Sequence, residues 1–175
     1  YGMKKNVVDP VMVATSGDKL IEDNTVRALV EYLFPLAALI TPNIPEAEIL
    51  TGQKIHSKDD MIGSALKLLD SGCEAVLLKG GHLKGNLMYD IYISGNETDD
   101  IRIFRNQRIH TNNVHGTGCT LSSAIASFMA DGEETVIAVE KAIVYLQGAI
   151  IHGKNYKTGQ GNGPVNHFYN PQKLT

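Results

Sequence analysis

The segment His115-Gly116-Thr117-Gly118-Cys119-Thr120 carries the densest set of chemically useful groups in the chain. Its glycines run directly into an apolar stretch that reads as a helix to about Ala130. A helix opened this way leaves backbone N–H groups pointing outward, and its dipole favours negative charge at that end. The expected chemistry is anion binding. The segment is not a G-x-x-x-x-G-K-[ST] phosphate loop, nor a dinucleotide G-x-G-x-x-G. Glycines also simply make turns, so Gly-Thr-Gly alone is a weak signal. Cys119 adds a thiol in the first helical turn, a position that favours thiolate. A small buried hydrophobe is an equal reading of Cys119 on spacing alone. Cys73, after Gly72 and before a strand, reads as buried.

A second group of polar residues stands at strand ends. Asp9, Thr41 and Lys79 each close a short apolar run, and ligands in open α/β sheets bind outside the carboxyl ends of the strands. One anion, one hydroxyl and one cation in that position suit a phosphate with its metal. Taken singly, each is an ordinary solvated strand end. Asn43 and Glu46 lie three apart just after the second run, where both can face one site. An amide and a carboxylate are hard oxygen donors suited to Mg²⁺, directly or through water. Helix capping explains the same pair equally well. His82 and His115 flank glycine turns and suit either phosphate contact or solvent. His56, His110, His152 and His167 show no usable spacing.

The elements that position these groups are legible as patterns. Lys5–Asp9 is an apolar run stopped by Pro10, and 36–41 repeats it before Pro42. Between them Ser16-Gly17-Asp18 makes a turn. Asp23 or Asn24 caps a helix with Val26, Leu29, Val30 and Leu33 on one stripe, and Pro35 lies just past its end. Pro45 opens a short helix through Leu50, ended by Gly52. A helix after Ser57 or Lys58 carries Met61, Ile62, Ala65, Leu66 and Leu69, closed by Gly72. Ala75–Lys79 is a third buried strand. This β-α-β-α-β order with continuous apolar strands predicts a parallel sheet covered by helices. Strands 87–93 and 101–105, parted by Gly95-Asn96, predict an antiparallel edge hairpin. A final helix spans about 134–151. The tail at Gly161-x-Gly163-Pro164 reads as an ordered turn or a mobile loop.

Composition narrows the class. The 175 residues are 43% hydrophobic and 20% charged, which suits one globular domain. The formal net charge of −3 argues against a nucleic-acid partner. No apolar run approaches about 20 residues, so no membrane partner is expected. Two cysteines without C-x-x-C spacing argue against structural zinc or a disulfide framework and favour a reducing cytoplasm.

Several segments, taken in order, resemble one family. They are Val8-Asp9-Pro10-Val11-Met12-Val13-Ala14, Ser16-Gly17-Asp18, Ile40-Thr41-Pro42-Asn43-x-x-Glu46-Ala47, Leu78-Lys79-Gly80-Gly81-His82, the His115–Thr120 segment, and Gly161-x-Gly163-Pro164-Val165-Asn166-His167. The chain is similar over essentially its whole length to the hydroxymethylpyrimidine/phosphomethylpyrimidine kinases, the thiamine-pathway branch of the ribokinase-like superfamily. Thr15 departs from the lysine of many relatives and reads as tolerated variation.

The resemblance implies a three-layer α/β/α fold with a mostly parallel central sheet and an antiparallel edge hairpin. It implies ATP-dependent phosphorylation of 4-amino-5-hydroxymethyl-2-methylpyrimidine and then of its monophosphate. Gly116, Thr117 and Gly118 would form the anion hole around the transferring phosphoryl group. Cys119 would stand where most ribokinase-like enzymes hold a catalytic aspartate, close to the substrate. Asp9, Asn43 and Glu46 would organise Mg²⁺ and its waters, Thr41 and Lys79 would contact nucleotide phosphates, and Val11 would line the pyrimidine pocket. A homodimer is also implied. The family's chain begins upstream of the strand before Asp9, so 1–175 reads as the C-terminal two thirds of a single kinase domain. On that reading the chain by itself is expected to be a poor kinase with an exposed sheet edge, prone to association. The alternatives are a pyridoxal kinase of the same superfamily and a nucleotide-binding module without turnover.

Overall fold

The computed structural model describes residues 5–13 and 20–171, with the backbone alone for 97–100. The predicted Ser16-Gly17-Asp18 turn and Thr15 lie outside the described residues. The chain divides into two compact units, Tyr1–Gln107 and Arg108–Thr175.

The first unit is built on a five-stranded mixed sheet in the order β1-β2-β3-β4-β5. Strands β1 (Val7–Val8), β2 (Leu39–Ile40) and β3 (Ala75–Leu78) are parallel, with Val8 opposite Ile40 and Ile40 opposite Val76. Strands β4 (Leu87–Ser94) and β5 (Glu97–Gln107) form the antiparallel hairpin, and β4 pairs antiparallel with β3. β2 and β3 are fully buried, whereas β1 is half-buried. Among the described residues β1 has a strand neighbour on one side only.

The helix after β1 departs from its predicted form. Its α-helical part, α1, covers only Asp23–Ala28. A wider π turn follows over Leu29–Leu33, then a 3₁₀ turn over Phe34–Leu36 that contains Pro35. Pro35 has no N–H to donate, so the α pattern cannot run through it. Neither Asp23 nor Asn24 is the cap. Glu22 holds that position without a side-chain bond, and Asp23 is the first helical residue.

The two helices between β2 and β3 follow their sequence signals closely. In α2 (Ile44–Thr51), Pro45 lies in the first turn and Gly52 ends the helix at φ 69°. In α3 (Lys58–Leu69), Ser57 is the cap and forms a reciprocal capping box with Asp60. Met61, Ala65 and Leu68 of α3 join Ile40, Val76, Leu78, Ile91 and Ile93 in the core of the unit, and Phe34 packs there as well. Buried Cys73 is part of this core, and burial pushes its thiol up from the usual range.

The second unit contains α4 (Thr117–Ala130) and α5 (Thr135–Gly153), packed against each other. At 19 residues with mean hydropathy 1.3, α5 is long and apolar enough to cross a membrane, which the run-length reading of the sequence did not anticipate. Glu140 and Lys141 interrupt the run. Ala138, Val139, Ala142 and Ile143 are buried, 39% of the apolar window is buried in all, and Val144 and Ile151 are exposed. The tail makes contacts next to Gly163: Pro164 bridges His115, and Val165 is buried against Ala149 and Ile150.

Candidate functional site

The strand ends of the first unit converge on one charge cluster. A carboxylate oxygen of Asp9, just past β1, accepts a 2.9 Å hydrogen bond from the Thr41 hydroxyl and a 2.7 Å charged bond from Lys79. Both charged side chains are largely buried, with Lys79 15% and Asp9 13% exposed. Thr41 is fully buried, so its hydroxyl serves to aim Asp9. The parallel register of three successive strands brings these residues together. Lys79 N–H also donates to the Pro42 carbonyl, which ties the exits of β2 and β3.

Asn43 and Glu46 stand beside this cluster as a reciprocal capping box on α2. The Asn43 side chain accepts from Glu46 N–H at 2.9 Å, and the Glu46 carboxylate accepts from Asn43 N–H at 2.8 Å. The other Glu46 oxygen accepts a longer 3.4 Å bond from Met12 N–H. Glu46 is only 2% exposed. Burial pushes its carboxyl above the ordinary range. The Asn43 N–H and the Lys79 charge oppose the rise, the Asp9 charge adds to it, and the Met12 N–H opposes it weakly. Val11 stands in the turn after Asp9 and is half exposed.

A residue missed in the sequence, Asp90 on β4, completes this neighbourhood. Its carboxylate accepts a 2.8 Å bond from Gly80 N–H, next to Lys79. Burial pushes its carboxyl up, while the Gly80 N–H and the Lys79 charge work against the rise. The available signal was one acidic residue inside the otherwise apolar 87–93 strand. Gly80 lies so close to β4 that a Cβ there would sit 1.9 Å from the Tyr89 carbonyl oxygen. Gly80→Ala therefore forces backbone apart and is expected to lower stability by about 1–3 kcal/mol or more. A urea midpoint equal to that of the parent protein would show that the hairpin yields freely.

In the second unit, Gly116 adopts φ 83°, a left-handed conformation that suits glycine, and it caps α4. Thr117, Gly118 and Cys119 are then the first three helical residues, whose N–H groups lack helical acceptors. Cys119 is exposed, which removes the buried-hydrophobe reading. It borders a concavity of about 460 Å³ that Thr120, Ser123, Ser127, Tyr145 and His167 also line. His167, which had no usable spacing in the sequence, lies 2.9 Å from the Thr120 hydroxyl through Nε2. His115 is exposed, and its N–H donates to the Gly163 carbonyl at 3.1 Å. A larger concavity of about 810 Å³, between 108–114 and 154–161, contains none of the predicted site residues.

The oxygens around Asp9 can be tested for Mg²⁺. Glu46 and Asn43 spend theirs on backbone N–H groups, and one Asp9 oxygen is held by Lys79 and Thr41. Among the described residues, no three His, Cys, Asp or Glu side chains are grouped to hold a metal ion. The donor set therefore suits a hydrated ion held through waters by one carboxylate, the usual habit of Mg²⁺.

Comparison with known proteins gives consistent findings. The family model described as phosphomethylpyrimidine kinase matches residues 1–166. The hydroxymethylpyrimidine/phosphomethylpyrimidine kinase of Rhizobium meliloti (strain 1021) is 47% identical over 167 residues, which are 95% of this chain and 62% of that protein. The structure of pyridoxal kinase from Staphylococcus aureus in complex with AMP-PCP is similar at TM-score 0.84 and 32% identity. That match covers 94% of this chain and 58% of the other. The crystal structure of phosphomethylpyrimidine kinase from Clostridium difficile 630 is similar at TM-score 0.71 and 43% identity, over 84% and 58%. The chain thus spans about six-tenths of the length of these relatives. Its fold is α/β and ribokinase-like. With the match running from the first strand through the tail, the chain belongs to the phosphomethylpyrimidine kinase family.

Proposed function

We propose that this protein transfers the γ-phosphoryl group of ATP to the hydroxymethyl oxygen of 4-amino-5-hydroxymethyl-2-methylpyrimidine, and then a second phosphoryl group to the monophosphate. The observation that carries the reading is the Gly116–Cys119 turn, where Thr117 N–H donates a long 3.4 Å bond to the Val114 carbonyl, the Gly118 and Cys119 N–H groups open the helix without helical acceptors, and an exposed thiol stands in the same turn. Phosphoryl transfer needs positioning and charge neutralisation more than covalent chemistry. The N–H groups of Gly118 and Cys119 would hold the transferring oxygens. The Cys119 sulfur would take the proton of the attacking hydroxyl as the new O–P bond forms and the bond to ADP breaks. Lys79, steadied by Asp9 and Thr41, would supply positive charge to the nucleotide phosphates. Mg²⁺, when bound with ATP, would neutralise phosphate charge, and Asp9 would hold it through water with Glu46 and Asn43 keeping the loop in shape. Val11 would line the wall of the pyrimidine pocket. The reaction would run in the cytoplasm, where Cys73 and Cys119 stay reduced. The homodimer and the single kinase domain rest on the family resemblance alone.

Pyridoxal phosphorylation is the second reading, favoured by the likeness in fold to the Staphylococcus aureus pyridoxal kinase. Steady-state ADP release with each alcohol separates the two. The pyrimidine is expected to show at least a tenfold higher kcat/KM. A higher value for pyridoxal would reverse the assignment, and ATP binding with no ADP release would favour a module without turnover.

A further inference from the structure

The tail of the second unit does more than end the chain. It crosses the start of α4 and touches it on both sides of the Gly116–Cys119 turn. Upstream of the turn, His115 N–H donates to the Gly163 carbonyl at 3.1 Å. Downstream, the Thr120 hydroxyl meets His167 Nε2 at 2.9 Å. That hydroxyl also donates to the Gly116 carbonyl at 2.7 Å, and Thr120 N–H donates to the same carbonyl at 2.9 Å. A hydroxyl has one proton to give. It goes to Gly116, so Nε2 of His167 is the donor to Thr120. The result is a directed chain from imidazole N–H to hydroxyl to the carbonyl of Gly116. That carbonyl belongs to the peptide whose N–H is the first of α4. Hydrogen bonds in series polarise one another, and this chain ends on the peptide that begins the anion-holding turn.

The tail is itself firmly seated. Val165 is buried against Ala149 and Ile150, and Asn166 N–H donates to the Ala149 carbonyl at 3.0 Å. The Tyr145 hydroxyl donates to the His167 carbonyl at 3.1 Å. Buried Asn113 donates to the Gly153 and Tyr156 carbonyls at 2.8 and 2.6 Å, and it approaches Gly163 so closely that a Cβ there would meet its side-chain oxygen at 2.1 Å. Each anchor lies on α5, on the segment that follows it, or on the segment before α4.

We propose that Gly163–His167 is a clamp that sets the geometry of the phosphoryl-holding turn, with His167 as a positioning residue acting through Thr120. The inference rests on the kinase reading for its catalytic consequence but not for its geometry. The test uses His167→Phe, which keeps ring volume and loses the donor, and Thr120→Val, which keeps shape and loses the hydroxyl. Each is expected to lower kcat at least tenfold with KM for ATP changed less than threefold. The double variant is expected to be no worse than the poorer single one, because both break the same chain. His167→Gln and Thr120→Ser, which retain an N–H and a hydroxyl, are expected to recover most of the loss. Multiplying effects in the double variant, or unchanged kcat in His167→Phe, would overturn the proposal. A second measurement is independent of turnover. Inorganic phosphate is titrated into ¹⁵N-labelled protein while the Gly118 and Cys119 amide signals are followed. His167→Phe is expected to weaken their response at least fivefold, and an equal response would overturn the clamp. Should His167→Phe not fold, Thr120→Ser and Thr120→Val give the same decision. Pyridoxal turned over in preference to the pyrimidine would count against the proposed activity, and the phosphate titration would still decide the clamp.

Discussion

Cys119→Ala is expected to lower turnover by about 10²–10⁴-fold, the usual range for loss of a positioned general base. The side chain is exposed at the third residue of α4, so its removal leaves no cavity. Folding is expected to be unaffected, with a urea midpoint equal to that of the parent protein. ATP binding is also expected to persist, because the N–H groups of the turn belong to the backbone. The loss should therefore fall on kcat rather than on the KM for ATP. Steady-state ADP release across alcohol and ATP concentrations makes the measurement. Near-parental kcat in Cys119→Ala would remove the thiol from the reaction and leave the turn as an anion holder only.

Asp9→Ala is expected to be strongly destabilising in the first unit. It strands the Lys79 charge and leaves the fully buried Thr41 hydroxyl without its acceptor. Breaking a largely buried ion pair by removing one partner is typically worth about 3–5 kcal/mol. The partial exposure of Asp9 and Lys79 points to the lower end of that range. Removing both charges together is often close to neutral for stability. Asp9→Ala combined with Lys79→Met should thus regain much of the lost stability while showing no turnover, the result that the role proposed for Lys79 requires. Urea unfolding of the parent, both single variants and the double variant gives the coupling directly. Equal and additive losses would mean that the 2.7 Å pair contributes little to the fold.

What the sequence determined by itself was local. Gly116 before Thr117 marks a helix start because a left-handed residue and an apolar run meet there. Asn43 and Glu46 carry capping spacing, and Ser57 or Lys58 marks the start of the next helix, where the structure selects Ser57. Apolar runs ending in Asp9, Thr41 and Lys79 mark strand exits. These signals depend on neighbours within a few residues, where backbone geometry is nearly fixed by residue type. The metal or capping ambiguity at Glu46 was not resolvable at that range, since one carboxylate suits both uses. Its burial and its second bond to Met12, 34 residues away, show how its oxygens are used. Tertiary structure alone decided that Asp9 meets Thr41 across 32 residues and Lys79 across 70. It also placed Asp90 under Gly80 and His167 on Thr120, 47 residues apart. Such meetings follow from strand register and from the path of the chain between elements. A two-residue or 3.6-residue period says which face is apolar, and it leaves open which distant polar group that face will bring alongside.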